Sequence, residues 1–203
     1  GIGTGQDWGL PVAAETYDGE LNDINGFHVT DAHVFEALDS AASGPIELGS
    51  VGGGTGMICY DYKGGSGSAS RLVRIGGAEF TVGVFVQANF GLREELTILG
   101  CNIGGINLEG RLRQKPVGSI IAIVATDAPL MPHQLKRLAR RVPMGLARTG
   151  TVGHHGSGDL FLAFSTANEM ALSGRSSEFQ ILPPASIDPL FAAVAEATEE
   201  AVI

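Results

Sequence analysis

The sequence has 203 residues, of which 44% are hydrophobic and 17% charged, so it can form one compact domain with a sizeable core. Its formal net charge of -9 argues against a nucleic-acid partner, because phosphate binding needs clustered Lys and Arg side chains. No segment approaches the roughly 18 uninterrupted apolar residues of a membrane helix. We therefore expect a soluble protein with no membrane partner, in the cytoplasm or the periplasm.

The N-terminal half combines short apolar segments with glycine-rich turns. Gly makes up 30 of the 203 residues, which indicates tight turns and close backbone approaches. The predicted elements of this half are an extended segment at 11–17, a helix at about 30–42, a glycine-rich stretch at 49–70 that contains a short strand at 57–60, and strands at 80–89 and 96–101.

The C-terminal half alternates strands and helices. A polar loop at 104–118 leads into a continuously apolar segment at 120–126, which is typical of a strand buried on both faces. A helix at about 132–148, a second buried strand at 160–165 and a final helix from Asp188 follow. Buried strands with amphipathic helices predict helices packed on sheets, which means the α/β or the α+β class.

The cysteines and histidines predict neither a disulfide framework nor a metal site. Cys59 and Cys101 both lie in apolar sequence, and we interpret them as two buried free thiols. His154 and His155 are adjacent, but no acidic or histidine partner stands at ligand spacing. We interpret them as loop histidines.

The first candidate for chemistry is Ser119, which follows an exposed loop and opens a buried strand. An N-terminal nucleophile has this placement, because a cut between Gly118 and Ser119 gives the serine a free amine with a pKa of roughly 7.7–8.0. That amine can take the proton of the hydroxyl, so one residue carries both nucleophile and base. Sequence pattern alone favours the simpler alternative, an ordinary serine at the start of a strand.

Glycine-rich sequence at 52–56 allows a functional and a structural interpretation. It resembles a phosphate-binding loop in composition only, because no Gly-Lys-Ser/Thr closes it and a strand, not a helix, follows. Close backbone packing near a site is the favoured interpretation.

Two pairs of polar residues also allow both a functional and a structural interpretation. Ser157 and Asp159 stand two apart in a glycine-rich loop, where they could orient a nucleophile's amine or form an ordinary turn. Glu15 and Tyr17 alternate on an extended segment and therefore share a face. They could bind a substrate ammonium and a developing oxyanion, or they could be residues of an edge strand.

Five segments of the chain, in order, resemble the L-aminopeptidase/D-amidase-esterase family, which includes the β-peptidyl aminopeptidases. The resemblance covers nearly the whole chain and favours Ser119 as a nucleophile. The segments are PVAAETYDGELNDINGFHV at 11–29, GGGTGMICYDYKGGSGSASR at 52–71, VGVFVQANFG at 82–91, GSIIAIVATDAPLMPHQLKRLARR at 118–141 and GSGDLFLAFSTAN at 156–168.

The resemblance implies a precursor that cleaves itself in front of a serine into two subunits that stay together. It implies an α+β fold, an αββα sandwich in which two stacked mixed sheets lie between helix layers, assembled as a homo-oligomer, often a tetramer. It implies no metal or organic cofactor, and a small peptide or amide substrate with a free amine. Residues 1–203 would form a single domain, with 1–118 in the α subunit, 119–203 in the β subunit, and the N-terminal part of the family domain absent.

The resemblance also assigns roles to residues around the nucleophile. Cleavage would fall between Gly118 and Ser119, and Ser119 matches the nucleophile. Asn89 matches the residue of the oxyanion hole, whose side-chain or backbone N–H would stabilise the tetrahedral intermediate. Tyr17 matches a tyrosine whose hydroxyl assists there.

Three further residues acquire roles in the same way. Ser157 and Asp159 match a Ser-x-Glu pair that positions the nucleophile and its amine. Glu15 matches an acid that binds the ammonium group of the substrate. The sequence departs from the family at Asp159, where Glu is expected, so the reach of this shorter carboxylate to the amine is in question.

The sequence leaves three alternatives to an aminopeptidase. One is acyl transfer, as in the related-looking ornithine acetyltransferases, although these use Thr where this chain has Ser119. Another is an uncleaved, inactive homologue with a structural role, and the third is a module that binds a phosphate or nucleotide at 52–56. The acidic net charge argues against the third.

Overall fold

The computed structural model describes residues 11–106, 109–112, 118–168 and 179–203, which place a layer of helices on a mixed sheet. In that part of the chain, no helix combines the length and the apolarity that crossing a membrane requires. The helices are α1 (Asp31–Asp39), α2 (Pro132–Ala139), α3 (Val142–Arg148) and α4 (Asp188–Val202). The strands are β1 (Ile58–Cys59), β2 (Tyr62–Lys63), β3 (Gly65–Ile75), β4 (Ala78–Asn89), β5 (Thr97–Ile98), β6 (Cys101–Asn102), β7 (Ser119–Thr126) and β8 (Leu160–Ser165).

The central sheet has four strands in the order β3-β4-β7-β8. The pairs β3–β4 and β4–β7 are antiparallel, whereas β7 and β8 run parallel. Gly76 and Gly77 form the two-residue turn between β3 and β4, with positive φ angles of 58° and 85° that favour glycine. The chain passes from β7 to β8 through α2 and α3, because parallel strands need a crossover connection.

Alternate residues of the sheet lie in two different environments. Towards the helices, Val84 of β4 and Val124 of β7 are at most 1% exposed and belong to the core that α2, α3 and α4 complete. On the opposite face, Leu160 and Phe164 of β8 are 46% and 43% exposed. Within the described residues, the helices therefore cover one face, and the other face remains apolar and partly open.

The prediction of an α+β fold is confirmed, because helices pack on a mixed sheet. Of the two stacked sheets expected, the described residues build one four-stranded sheet, accompanied by the hairpins β1–β2 and β5–β6. The strands predicted at 80–89 and 120–126 and the helix predicted from Asp188 are present as β4, β7 and α4. The helix predicted at 30–42 is present as α1 and ends at Asp39.

Strand β3 is the largest difference from the sequence predictions, which treat its first residues as part of a glycine-rich stretch. Gly and Ser are poor strand formers, but β3 forms a continuous ladder with β4 and packs against α4. Gly67 permits this packing, because a Cβ there would lie 1.8 Å from the carbonyl oxygen of Ala201 in α4. Tertiary contacts therefore override the local preference.

Two predicted elements are each divided in the structure. The helix predicted at 132–148 consists of α2 and α3, and Pro143 at the start of α3 lacks the N–H that a continuous helix would need. The strand predicted at 96–101 is the hairpin β5–β6, because Leu99 and Gly100 have positive φ angles and reverse the chain.

Burial also differs from the predictions. Strand β7 alternates between fully and partly buried residues, and β8 between exposed and partly buried ones, so neither strand is fully buried on both faces. Cys59 is buried as expected, but Cys101 is exposed, because it lies on the β5–β6 hairpin outside the core. Continuous apolar sequence was therefore not enough to indicate two covered faces.

Candidate active site

Three strand ends meet at one edge of the central sheet. Ser119 is the first residue of β7, and it pairs directly with Asn89, the last residue of β4. The start of β8 lies beside the start of β7, because these strands are parallel and Ile121 pairs with Leu160. The residues predicted to carry chemistry at 89, 119, 157 and 159 are thereby brought to one end of the sheet.

Asn89 is fully buried, and its side-chain amide is held at both ends. Its Oδ1 accepts a hydrogen bond from the backbone N–H of Ile58 at 3.0 Å, and its Nδ2 donates to the backbone carbonyl of Tyr17. Two backbone partners fix the plane of the amide, so its orientation needs no reorganisation when a charge develops nearby.

Gly118 connects the predicted cleavage position to the loop before β8. It forms a parallel bridge with Ser157, and the N–H of Gly158 donates to the Gly118 carbonyl oxygen at 3.2 Å. A Cβ at position 118 would lie 2.1 Å from the Asn89 carbonyl oxygen. Only glycine therefore fits at this position without a shift of the backbone.

Ser157 and Asp159, which the family resemblance matches to a Ser-x-Glu pair, are hydrogen-bonded to each other. The Ser157 hydroxyl donates a short hydrogen bond to Asp159 Oδ1, and the Ser157 N–H donates to the His154 carbonyl at 2.8 Å. The serine backbone bridges Gly118, so this polar pair lies next to the Gly118–Ser119 peptide bond.

Tyr17 and Glu15 lie on an irregular segment that reaches the site through Asn89. The carbonyl of Tyr17 is the group bound to Asn89, whereas its hydroxyl folds back towards Gly19, where an added Cβ would be 2.7 Å away. Glu15 and Tyr17 line the same cavity of about 330 Å³ together with Ile24. The extended segment joins no strand, so the two residues are not edge-strand residues, and their shared face stays a prediction because Thr16 and Asp18 line the same cavity.

The glycine-rich segment Gly52–Gly56 is a 3-10 turn packed against backbone. A Cβ on Gly54 would lie 2.3 Å from the Gly49 carbonyl oxygen and 2.5 Å from the Ser66 nitrogen. Lys63 Nζ donates to the Gly54 carbonyl at 2.9 Å, and burial lowers the pKa of this amine. Close packing, the favoured interpretation, is therefore confirmed.

Two charged pairs near the site could not be predicted from sequence. His154 Nε2 lies 2.8 Å from Glu95 Oε1, which ties the loop carrying Ser157 to the segment before β5. Arg93 Nε lies 3.3 Å from Asp61 Oδ2 in a buried ion pair. Partners far apart in sequence leave no periodic pattern, so only the fold reveals them. Across the described ranges, no three His, Cys, Asp or Glu residues form a group that could hold a metal ion.

Solved structures with this fold define the class of protein. The L-aminopeptidase D-Ala-esterase/amidase of Ochrobactrum anthropi, described as a variant of the Ntn hydrolase fold, superimposes with a TM-score of 0.85 and 51% identity over 92% of this chain and 52% of that one. A β-aminopeptidase of Burkholderia sp. gives a TM-score of 0.81 and 47% identity over 92% of this chain and 54% of that one. The chain therefore has the fold of the N-terminal-nucleophile hydrolases.

Sequence comparison specifies the family. The model of peptidase family S58 matches residues 2–203, so the chain belongs to peptidase family S58. The β-peptidyl aminopeptidase BapA of Sphingosinicella microcystinivorans is 46% identical over 213 residues, which cover 96% of this chain and 54% of the relative. The chain spans about half the length of the curated relatives it matches. The resemblance to the L-aminopeptidase/D-amidase-esterase family is confirmed.

Proposed function

We propose that this chain is part of a self-cleaving aminopeptidase in which Ser119 is the nucleophile. The observation that carries the proposal is the position of the Gly118–Ser119 peptide bond, between the fixed amide of Asn89 and the Ser157–Asp159 pair. Cleavage at this bond divides the sequence into residues 1–118 and 119–203, which remain together in one folded domain through the ladder of β7 with β4 and the packing of α4 against β3 and β4.

Self-cleavage begins with attack of the Ser119 hydroxyl oxygen on the Gly118 carbonyl carbon. The hydroxyl proton passes to the departing Ser119 nitrogen, the peptide C–N bond breaks, and an ester joins Gly118 to the Ser119 oxygen. Water then hydrolyses the ester, which leaves a Gly118 carboxylate and a free Ser119 amine. The Gly158 N–H already donates to the Gly118 oxygen, where negative charge develops during the attack.

Peptide hydrolysis reuses the same serine after the cut. The new amine, with a pKa of roughly 7.7–8.0, accepts the hydroxyl proton as the serine attacks the substrate carbonyl. An acyl-enzyme forms and the substrate's C-terminal part leaves, after which water releases the acyl group. Asn89 stabilises the oxyanion, and the Ser157–Asp159 pair orients the nucleophile and its amine.

The substrate is a small peptide, amide or ester with a free N-terminal amine. The carboxylate of Glu15, in the cavity it shares with Tyr17, binds the substrate ammonium, and the net charge of -9 favours a cationic group. The named relatives, a β-peptidyl aminopeptidase and an L-aminopeptidase D-Ala-esterase/amidase, support this substrate class. Homotetramer formation is part of the same proposal.

A second sheet covers the open face of the central sheet in the full-length protein, which completes the αββα sandwich. Support comes from the apolar residues on that face, since Leu72, Leu160 and Phe164 are 68%, 46% and 43% exposed. The relatives are about twice as long as the region they share with this chain, so they contain enough chain for such a sheet.

Intact mass measurement and N-terminal sequencing of the full-length protein test the proposal. A fragment that begins at Ser119 is expected from the wild type and from the control Ser68→Ala, which changes a serine of β3 away from the site. Ser119→Ala should remain one chain and lose all hydrolysis of aminoacyl and β-aminoacyl anilides. An active Ser119→Ala variant would refute the nucleophile, and an uncut wild type would favour the inactive homologue.

A further inference from the structure

A strained two-residue turn lies beside the site and is not used by the mechanism above. Tyr60 and Asp61 connect β1 to β2, and both have positive φ angles, of 50° and 60°. This conformation favours Gly or Asn and is an outlier for a residue as bulky as Tyr. Such strain persists only where surrounding contacts impose it, and it is concentrated at functional sites.

The contacts that impose this turn lead to the segment in front of Ser119. Asp61 is 2% exposed, and its Oδ1 accepts the backbone N–H of Leu112 at 2.6 Å. The ion pair with Arg93 holds the carboxylate from its other side. The buried Asp61 side chain of the turn therefore binds the backbone of the segment 109–118 that precedes Ser119, which we call the linker.

Arg93 binds the same linker from a second direction. Its guanidinium donates to the carbonyl oxygens of Glu109, Gly110 and Asp61, and it lies 4.4 Å from the centre of the Tyr62 ring. Arg93 is 5% exposed, so its end of these charge-assisted bonds is buried, although the bonds to Glu109 and Gly110 are only partly shielded from solvent. One arginine and one aspartate thus fix three backbone groups of residues 109–112.

The fixed segment is close to the proposed cleavage position along the chain. Leu112 precedes Gly118 by six residues, a span of at most about 20 Å even when fully extended. Gly118 is itself fixed by its bridge to Ser157. Anchors on both sides of 113–117 limit the positions that the Gly118 carbonyl can take relative to the Ser119 hydroxyl.

We propose that Asp61 and Arg93 are positioning residues for self-cleavage, and that they hold the linker so that the Gly118 carbonyl stays within reach of Ser119. The inference rests on the proposed function. Fixing a reacting group in place removes entropy before the reaction, and a small misplacement can slow a reaction about 100-fold. After the cut, the same contacts keep the new C-terminal segment on the body of the protein.

Two substitutions distinguish a role of Asp61 and Arg93 in positioning the linker from a role in overall stability. Arg93→Lys keeps the charge but cannot donate simultaneously in the directions of the guanidinium fork. Leu112→Pro removes the N–H that Asp61 Oδ1 binds and changes neither residue of the buried ion pair. The matched controls are Arg74→Lys, in an exposed ion pair with Glu79, and Leu112→Ala, which retains the N–H.

The experiment follows self-cleavage of pulse-labelled full-length protein by gel and intact mass, and then measures kcat per cleaved chain. Arg93→Lys and Leu112→Pro should slow cleavage tenfold or more by this argument, and their cleaved fraction should hydrolyse an aminoacyl anilide at the wild-type kcat. The two controls should cleave at the wild-type rate.

Three other results would be informative. Normal cleavage of Leu112→Pro would overturn the inference, even if Arg93→Lys fails to fold. Equal loss of cleavage rate and of kcat per cleaved chain would also overturn it, because the anchor would then be merely structural. A wild type that is never cut would instead refute the proposed function itself.

Discussion

Asn89 and Ser119 lie directly opposite each other on the antiparallel strands β4 and β7, one at the end of its strand and the other at the start. Their pairing places a fully buried amide beside the proposed nucleophile on the sheet face that the helices do not cover. The fixed register of this ladder makes the position of the amide a property of the fold.

We expect Asn89→Asp and Asn89→Ala to separate stability from catalysis. Asp keeps the acceptor for the Ile58 N–H but loses the N–H groups, so kcat should fall about 100- to 1000-fold. Ala additionally leaves the buried Ile58 N–H without this partner, which should cost about 1–3 kcal/mol of unfolding free energy. Kinetics on an aminoacyl anilide and thermal melting check both expectations. A wild-type kcat in Asn89→Asp would exclude the Asn89 side chain from the oxyanion hole.

Gly118→Ala should block the proposed self-cleavage, because the added Cβ would lie 2.1 Å from the Asn89 carbonyl oxygen and displace the Gly118–Ser119 peptide bond. Gly158→Ala is the matched control, since no heavy atom lies within 4 Å of its Cβ and its N–H donor to Gly118 is retained. Intact mass after purification should show one chain for the first variant and two for the second. Efficient cleavage of Gly118→Ala would mean that this contact relaxes easily.

Asp159→Asn should lower kcat about 100-fold, because the loss of charge weakens the orientation of Ser157 and of the Ser119 amine. Asp159→Glu introduces the acid expected from the family resemblance and keeps the negative charge. Its kcat should stay within a few-fold of that of the wild type. The comparison is made on protein already cleaved at Ser119. If the kcat of Asp159→Asn equals that of the wild type, the carboxylate has no positioning role.

Tyr60→Phe should change how stability depends on pH. The hydroxyl bonds to Thr149 Oγ1 and accepts from the Thr151 N–H, and burial raises the pKa of Tyr60 far above its ordinary value of 10.0. A raised pKa in the folded state means that the phenol stabilises the fold fully below pH 10 and loses this contribution as the pH rises above it.

The measurement is the melting temperature between pH 8 and 11 for both proteins. The wild type should lose stability more steeply above pH 10 than Tyr60→Phe, although the variant should be about 1–3 kcal/mol less stable at pH 8 because the Thr151 N–H loses its acceptor. Parallel pH curves for the two proteins would show that the phenol ionises in the folded state as readily as in the unfolded one.

Strong hydrophobic patterns allowed parts of the fold to be predicted from sequence. β4, β7 and α4 carry such patterns and were found, whereas β3 begins with Gly and Ser and is held extended by β4 and α4. Ser119 could be proposed from its place between a polar loop and an apolar strand, with the family resemblance deciding between two interpretations.

The geometry of the site depended on long-range contacts that no local pattern contains. The pairing of Asn89 with Ser119 follows from the ladder register, and the bridge of Gly118 with Ser157 follows from parallel pairing across a crossover. The Asp61–Arg93 pair joins residues 32 positions apart, through a turn whose φ angles are rare for its residues. The candidate site residues could be identified from sequence, but which residues contact each other could not.

Alternate residues of β7 lie on opposite faces of the sheet, so the two sets of residues serve different purposes, packing on one face and chemistry on the other. Ile120 and Val124 pack among the helices, whereas Ser119 and Ile121 belong to the other face. Substitutions in the helix layer can therefore accumulate, or be introduced to raise thermal tolerance, with little direct effect on the reacting groups. An engineer who wants a different substrate preference would leave that layer alone and diversify the opposite side.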